Sequence, residues 1–415
     1  MNLFIIQPFQ SHLYPVFGLA HKFEGQGKKV VFTTTPQLIG ILKSEGFEYK
    51  EFGYLSEYII KNYKSFLGLF LKSSVSKAFY KERKTEFENA FRRTQRLIEE
   101  HKPAQVFIDQ SLAEYYFFFK PFVPNITIVH TKVYSGKTKG IPPMNSKVIP
   151  ATSLLSKIKI EYLWLKELFK QRFRELILKI AFLGKDETFL WKKHCEKYGM
   201  DWRKEIDLKH SLNRGIKNVD NLVLLPRELE FPQFKKPKHI RFFEKLSPKD
   251  ESAYYTSTYS NLKKEYLLGT DFKVIYMAFG TLAQGPKVTD FFNSVISMIE
   301  ELSGTILIIS KGNHTMELKE AENVFTFDYL PQLDVLQHTD LFITHGGLGS
   351  VKEAFHNNVP MLVVPMNKFI DQNGNAARVR ANGLGDFLNI DAYSKAEVKE
   401  KIKVLLPGHK LQVAI

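Results

Sequence analysis

The sequence predicts an α/β protein built from two parallel-sheet domains, on three observations. Its 415 residues are too many for one ordinary core and suit two domains of about 200 residues each. Its beginning alternates strand, helix and strand: an apolar run at 3–6, a helical period through Val16, Leu19, Ala20 and Phe23, and a second run at 28–35. Its last third alternates again, where apolar runs at 341–344 and 360–364 bracket a glycine-rich turn and a helix.

Taken in order, the first helix is expected from about Tyr14, with Pro15 in its first turn. His12 then falls at the C-terminal edge of the first sheet, where active groups gather in such folds. Asp109 follows a strand at 105–108 and reaches the same edge. A histidine fixed by a carboxylate can act as a general base; equally, His12 can be a loop or capping residue and Asp109 a helix N-cap with Glu114 nearby. Residues 54–100 carry an aliphatic and aromatic pattern in which Phe66, Leu69, Phe70 and Phe79 read as core. A strand at 125–130 and a long loop lead to one or two amphipathic helices over 153–183, with seven basic and three acidic side chains between 157 and 179. Such a helix suits peripheral contact with a membrane interface, and equally a cover for one side of the first domain, which is the default. Proline-rich sequence marks a crossover, so the expected organisation is domain 1–217, linker 218–245 and domain 246–415. The second sheet begins at 273–279, ends in Gly280-Thr281, and continues with a helix at 288–302 and strands at 305–309 and 324–327.

The turn between the two late apolar runs holds His345, Gly346, Gly347, Gly349 and Ser350, with Glu353 on the helix that follows. Phosphates bind where such a turn opens a helix, because free N–H groups and the positive dipole end face the anion. The same pattern also fits a plain loop closing a parallel strand, with Glu353 solvated.

Composition narrows the function classes. Apolar residues make up 44% and charged residues 25%, values typical of a soluble globular protein. Cys195 is the single cysteine, which excludes an internal disulfide or a cysteine-based zinc cluster and fits a reducing compartment. No signal-peptide pattern and no long apolar run occur, so a cytoplasmic location is expected, with peripheral contact at the inner membrane face through 153–183. The net charge of +15 is uneven: residues 1–200 carry 32 Lys and Arg against 18 Asp and Glu, and residues 201–415 carry 27 against 26. No nucleic-acid recognition motif accompanies that charge, so no nucleic-acid partner is expected, whereas an anionic membrane or an acidic acceptor could use the field. GxGxxG after the first strand, a Walker motif and a DxD pattern beside the turn are all missing.

Four ordered blocks carry a resemblance: YLPQLDVL at 329–336, THGGLGSVKEAF at 344–355, VPMLVVPM at 359–366 and DQNGNAARV at 371–379. Together they closely resemble the nucleotide-sugar signature of the GT-B family 1 glycosyltransferases. That superfamily includes UDP-glucuronosyltransferases, plant secondary-metabolite glucosyltransferases and bacterial macrolide and carotenoid glycosyltransferases. The resemblance is strong in the last third and weaker from residue 1, although the proline–arginine–glutamate–leucine segment at 226–229 also matches.

The resemblance implies two Rossmann-like domains facing a cleft, and a hexose moved with inversion from a UDP- or TDP-sugar to a hydroxyl of a small, hydrophobic acceptor. It implies His12 as base, oriented by Asp109. For the donor it implies Tyr329 and Gln332 at the base, Glu353 at the ribose, and His345, Gly347, Gly349 and Ser350 at the diphosphate. Gly280 and Thr281 admit the sugar-phosphate, and Asp371 and Gln372 touch the hexose. It implies neither a metal nor a cofactor beyond the sugar nucleotide as co-substrate. Ser11 stands where glycine is common and Gly349 where plant relatives carry asparagine. Relatives also continue past the position of Leu406, so the second domain is expected to be short at its end. A non-catalytic donor-binding relative, a sugar-nucleotide epimerase and a lipid glycosyltransferase of this architecture remain alternatives.

Overall fold

The computed structural model describes residues 1–55, 75–211, 213–245, 251–280, 285–312, 316–367 and 370–406. By packing, the chain divides into two compact units. Residues 1–139, 158–225 and 235–247 form one, and 140–157, 226–234 and 248–415 the other.

The first unit is a parallel sheet of seven strands: β1 (Asn2–Ile5), β2 (Val30–Thr34), β3 (Glu48–Glu51), β4 (Gln105–Asp109), β5 (Ile126–His130), β6 (Asp220–Val223) and β7 (Ile240–Phe242). Their order is β3-β2-β1-β4-β5-β6-β7. The stretch 218–245 thus supplies two strands to this sheet. Both faces are covered, as an all-parallel sheet requires, and the pleat divides the side chains between them. Leu3 and Ile5 join Val106, Ile108, Phe118 and Trp191 on one side, while Phe4 joins Phe17, Phe32 and Phe107 on the other.

Helix α1 (Gln10–Glu24) begins before Tyr14. Phe9 is the last extended residue, at φ −132° and ψ 141°, so His12 lies in the first helical turn. Pro15 therefore falls in the second turn, where it has no N–H to offer the Ser11 carbonyl. The long helices α2 (Val75–His101), α3 (Leu154–Ala181) and α4 (Glu187–Lys197) follow. The 153–183 stretch is a single helix, because nothing within it breaks the period. Phe66, Leu69 and Phe70, together with the side chain of Phe79, lie outside the described residues.

The second unit repeats the plan with β8 (Lys273–Ala278), β9 (Thr305–Ser310), β10 (Val324–Phe327), β11 (Leu341–Thr344), β12 (Met361–Val363) and β13 (Gly385–Phe387). These strands are parallel in the order β10-β9-β8-β11-β12-β13. Helices α5 (Pro286–Ile299), α6 (Leu348–His356), α7 (Gln372–Ala381) and α8 (Lys395–Leu405) flank it. Its core is aliphatic where the first is aromatic, with Ile275, Met277, Leu307, Ile309 and Ile343 packed on Phe291, Phe292 and Val295 of α5.

Each sheet has one place where the strand order reverses, between β1 and β4 in the first unit and between β8 and β11 in the second. Loops leaving the C-terminal ends of two such strands diverge and leave a crevice.

Candidate active site

In the first unit that crevice is flanked by the segment after β1, which carries His12, and by the end of β4, which is Asp109. His12 Nδ1 stands 2.8 Å from Asp109 Oδ2, and both residues are buried. An ionised carboxylate can only accept, so Nδ1 carries the proton and Nε2 keeps its lone pair. Asp109 also caps the short 3-10 turn Gln110–Tyr115, its Oδ1 accepting from the Ser111 amide at 2.7 Å. Capping and orientation of the histidine are thus served by different oxygens of one carboxylate. Burial pushes the Asp109 carboxyl up, but the His12 ring and the Ser111 amide outweigh it and hold the group below its ordinary value.

Thr131, directly after β5, completes the cluster. Its Oγ1 lies 2.9 Å from His12 Nδ1 and donates to Asp109 Oδ2 at 3.5 Å. Sequence reasoning missed it, although its place just past the end of β5 was a signal of the kind that singled out Asp109. Ser11 is not among the residues of positive φ, so the backbone before His12 has no need of glycine.

A cavity of about 490 Å³ opens against the turn that follows β4, lined by Gln110, Ser111, Leu112, Leu178, Trp191 and Arg214 among others, with neither His12 nor Asp109 in its wall. Its polar wall is organised by Arg214, whose Nη1 donates to Glu114 at 2.9 Å and whose Nε donates to Glu175 at 3.0 Å. Burial and the nearby Glu114 push the Glu187 carboxyl up to about 7, against Arg83 and Arg214.

In the second unit the crevice is flanked by Gly280 after β8 and by His345 after β11. The imidazole of His345 is packed between two glycines. A Cβ on Gly280, which has φ +67°, would stand 3.0 Å from its Cε1, and one on Gly347 would stand 2.6 Å from its Nε2. Burial pushes His345 down to about 4, against the opposing pull of Asp371 and the Ala278 carbonyl. Its Nδ1 is buried without a hydrogen-bond partner among the described residues. Gly347 stands at the N-cap of α6 and offers no capping side chain. Gly349 is different, because a Cβ there would meet nothing within 4 Å.

One turn along α6, Gln332 Nε2 donates to Glu353 Oε2 and reaches Ser350 Oγ at 3.4 Å. Tyr276 of β8 donates to Gln332 Oε1 at 3.4 Å from beneath, a member of the group that the sequence pattern hid inside an apolar strand. Tyr329 stacks on Tyr254, with ring centroids 5.5 Å apart.

Asp371 stands at the N-cap position of α7 but makes no capping hydrogen bond. Its φ of −72° and ψ of −11° are already helical, which turns the carboxylate away from the first amides. That carboxylate accepts from Asn375 Nδ2 at 3.1 Å, and the same amide reaches the Gly346 carbonyl at 2.9 Å. Gln372 Oε1 accepts from the Met366 and Asn367 amides, both at 2.8 Å, and so holds the loop after β12. Asn375, which sequence reasoning passed over, ties the glycine turn to α7. Thr281 lies outside the described residues. Among the described residues no cluster of three or more His, Cys, Asp and Glu is arranged to hold a metal.

The segment before β7 belongs to this unit through Glu230. Arg378 Nε of α7 donates to Glu230 Oε1 at 2.7 Å, both side chains fully enclosed, and the guanidinium lies 4.4 Å from the Phe231 ring centroid.

Comparison with known proteins agrees with this geometry. Residues 259–413 match the family described as UDP-glucoronosyl and UDP-glucosyl transferase. An uncharacterised UDP-glucosyltransferase, YdhE of Bacillus subtilis, is 35% identical over 147 residues, covering 35% of this chain and 36% of the relative. Mouse UDP-glucuronosyltransferase 3A1 is 36% identical over 143 residues, 34% of this chain and 27% of its own. The matched stretch spans about a third or less of the length of these relatives. Among solved structures, the glycotransferase of kitacinnamycin superposes with TM-score 0.67 at 17% identity, over 98% of this chain and 90% of that one. The calicheamicin glycosyltransferase CalG4 gives 0.62 at 18% identity, over 98% and 89%. Residues 259–413 carry the signature of the UDP-glucoronosyl and UDP-glucosyl transferase family, and the chain as a whole has the two-sheet GT-B fold of these solved glycosyltransferases.

Proposed function

We propose that the protein is an inverting glycosyltransferase that moves a hexose from a UDP- or TDP-sugar to a hydroxyl of a small, hydrophobic acceptor. The observation that carries this reading is the buried His12–Asp109 pair at the strand-order reversal of the first sheet, with Nε2 as the basic nitrogen. Nε2 takes the proton of the acceptor hydroxyl as its oxygen attacks the anomeric carbon. Asp109, held ionised, fixes the tautomer and stabilises the imidazolium that forms. The bond from the anomeric carbon to the diphosphate oxygen breaks in the same displacement, so configuration inverts and no covalent sugar–enzyme step is needed.

The second unit binds the donor in this scheme. Backbone N–H groups at the start of α6 and the imidazole of His345 face the diphosphate, and glycine at 280 and 347 leaves the ring its place there. Glu353, braced by Gln332, accepts from the ribose hydroxyls, and Tyr329 backs the base. Asp371, held by Asn375, and Gln372 face the hexose. The cavity after β4 takes the acceptor, with Leu112, Leu178 and Trp191 as its apolar wall. Solved neighbours named for spinosyn, one of them complexed with thymidine diphosphate, favour keeping both nucleotides and a natural-product scaffold in view.

The test is a panel of UDP- and TDP-sugars with phenolic and polyketide acceptors, run on the wild type and on His12→Ala. The variant should lose roughly 10²- to 10⁴-fold in turnover while UDP or TDP affinity stays nearly unchanged. Equal turnover would remove His12 from the mechanism. An altered free sugar nucleotide without transfer would point to an epimerase.

A further inference from the structure

Helix α3 is apolar on two opposite faces. One face is buried, through Ile160 and Trp164. The other is solvent-exposed: Leu155, Ile158, Tyr162, Leu165, Phe169 and Phe173, with Leu176 and Ile180 continuing the line, recur every three or four residues. Leu155 is 80% exposed, and Leu165 and Phe169 are each 68% exposed. At about 3.6 residues per turn these side chains fall within an arc of about 100°. An exposed apolar stripe of this extent on a soluble surface marks an interaction site.

Its borders say what it meets. Arg172 and Lys179 are exposed along one edge and Lys159, Lys166 and Lys170 along the other. The exposed acidic side chain near the stripe, Glu161, is occupied by Lys137 at 2.6 Å. A second copy of the helix laid on this face would set those cations against their own equivalents. An anionic bilayer instead accepts the apolar stripe among its acyl chains and the flanking cations among its headgroups. No helix among the described residues is long and apolar enough to cross a membrane, so the helix lies in the interface plane.

We propose that α3 docks this protein on an anionic lipid surface, with the stripe from Leu155 to Ile180 inserted and the flanking lysines and arginines on the headgroups. Gln171, Arg174 and Leu178, on the opposite face of the same helix, line the cavity that opens after β4. Resting on the function proposed above, docking therefore holds the acceptor cavity behind the helix, about one helix diameter (about 10 Å) from the inserted stripe. The docking itself does not depend on that function.

The experiment is co-sedimentation of the full chain with phosphatidylcholine vesicles, with and without phosphatidylglycerol, at low and high salt. Binding is expected only with phosphatidylglycerol, and it should weaken as salt rises. Leu165→Glu with Phe169→Glu should abolish binding, and Lys166→Glu with Lys170→Glu should weaken it at least about fivefold per changed side chain. Both double variants should keep the wild-type circular dichroism spectrum and nucleotide affinity, because the changed side chains are exposed. Failure to sediment with anionic vesicles at low salt, or binding unchanged in the Leu165/Phe169 variant, overturns the proposal. So does a self-association in lipid-free solution that this variant abolishes, which would assign the stripe to a second copy. Lack of glycosyl transfer in the same preparation would count against the proposed function and leave the docking result standing.

Discussion

Asp109 divides two tasks between its two oxygens, and that division makes separate predictions. Replacing it with Asn keeps the bond to the Ser111 amide but lets the side chain donate toward His12, which favours the tautomer with no lone pair on Nε2. Asp109→Asn should therefore fold normally and lose roughly 10²- to 10⁴-fold in turnover, as read from initial rates, with nucleotide affinity unchanged by calorimetry. The low value of the Asp109 carboxyl also sets a sign. A carboxyl depressed by folding contributes stability above its unfolded value, about 3.9, and that contribution is lost as pH falls through the lower folded value. Thr131 shows what sequence reasoning misses at this scale. A threonine after a strand is common, and only the approach of β1, β4 and β5 brings its hydroxyl to His12.

Among elements, the turn from β11 into α6 separates glycines that the packing demands from one that it does not. A methyl at 347 collides with the His345 ring, whereas at 349 it meets open space. Gly347→Ala should lower UDP or TDP affinity at least about tenfold, since the turn must open to admit the methyl. Gly349→Ala should leave affinity intact and stability unchanged or up to about 1 kcal/mol higher, measured by urea unfolding. These glycines look alike in the string THGGLGSVKEAF. Helix α7 carries a second prediction, because its buried Arg378 neutralises an equally buried Glu230. Arg378→Met leaves that carboxylate unpaired and should cost about 3–5 kcal/mol in urea unfolding. The proline-rich crossover was legible in the sequence as a change of register. Its ion pair was not, because 148 positions separate the partners.

For the whole molecule, three histidines that desolvation keeps neutral give an acid slope. Burial pushes His130, His194 and His345 each down to about 4 from an ordinary value near 6.5. Each is neutral in the folded protein and takes up a proton on unfolding between those values, so stability falls as pH drops from about 6.5 to about 4. His130 is fully enclosed, with Nε2 2.7 Å from Asn221 Oδ1, and by itself it should account for roughly 3 kcal/mol of that loss. Urea unfolding between pH 4 and 7 should show this slope, and His130→Gln should flatten it. A flat wild-type profile would refute the assignment.

The sequence by itself determined the two parallel sheets, the family signature and the neighbourhood of each candidate group. Strand and helix periods are local, and a group just past a strand must lie at that sheet's edge. Tertiary structure decided which edge groups meet. His12 and Asp109 come together because β1 and β4 are neighbours in a sheet ordered β3-β2-β1-β4, although 97 positions lie between them. It also decided that Gly280 and Gly347 both press on His345, that the Asp371 carboxylate accepts from Asn375 instead of capping α7, and which of the two apolar faces of α3 is left exposed. The amphipathic period is the same whichever face packs inward. Only the neighbours a helix buries against fix which side is left to the solvent.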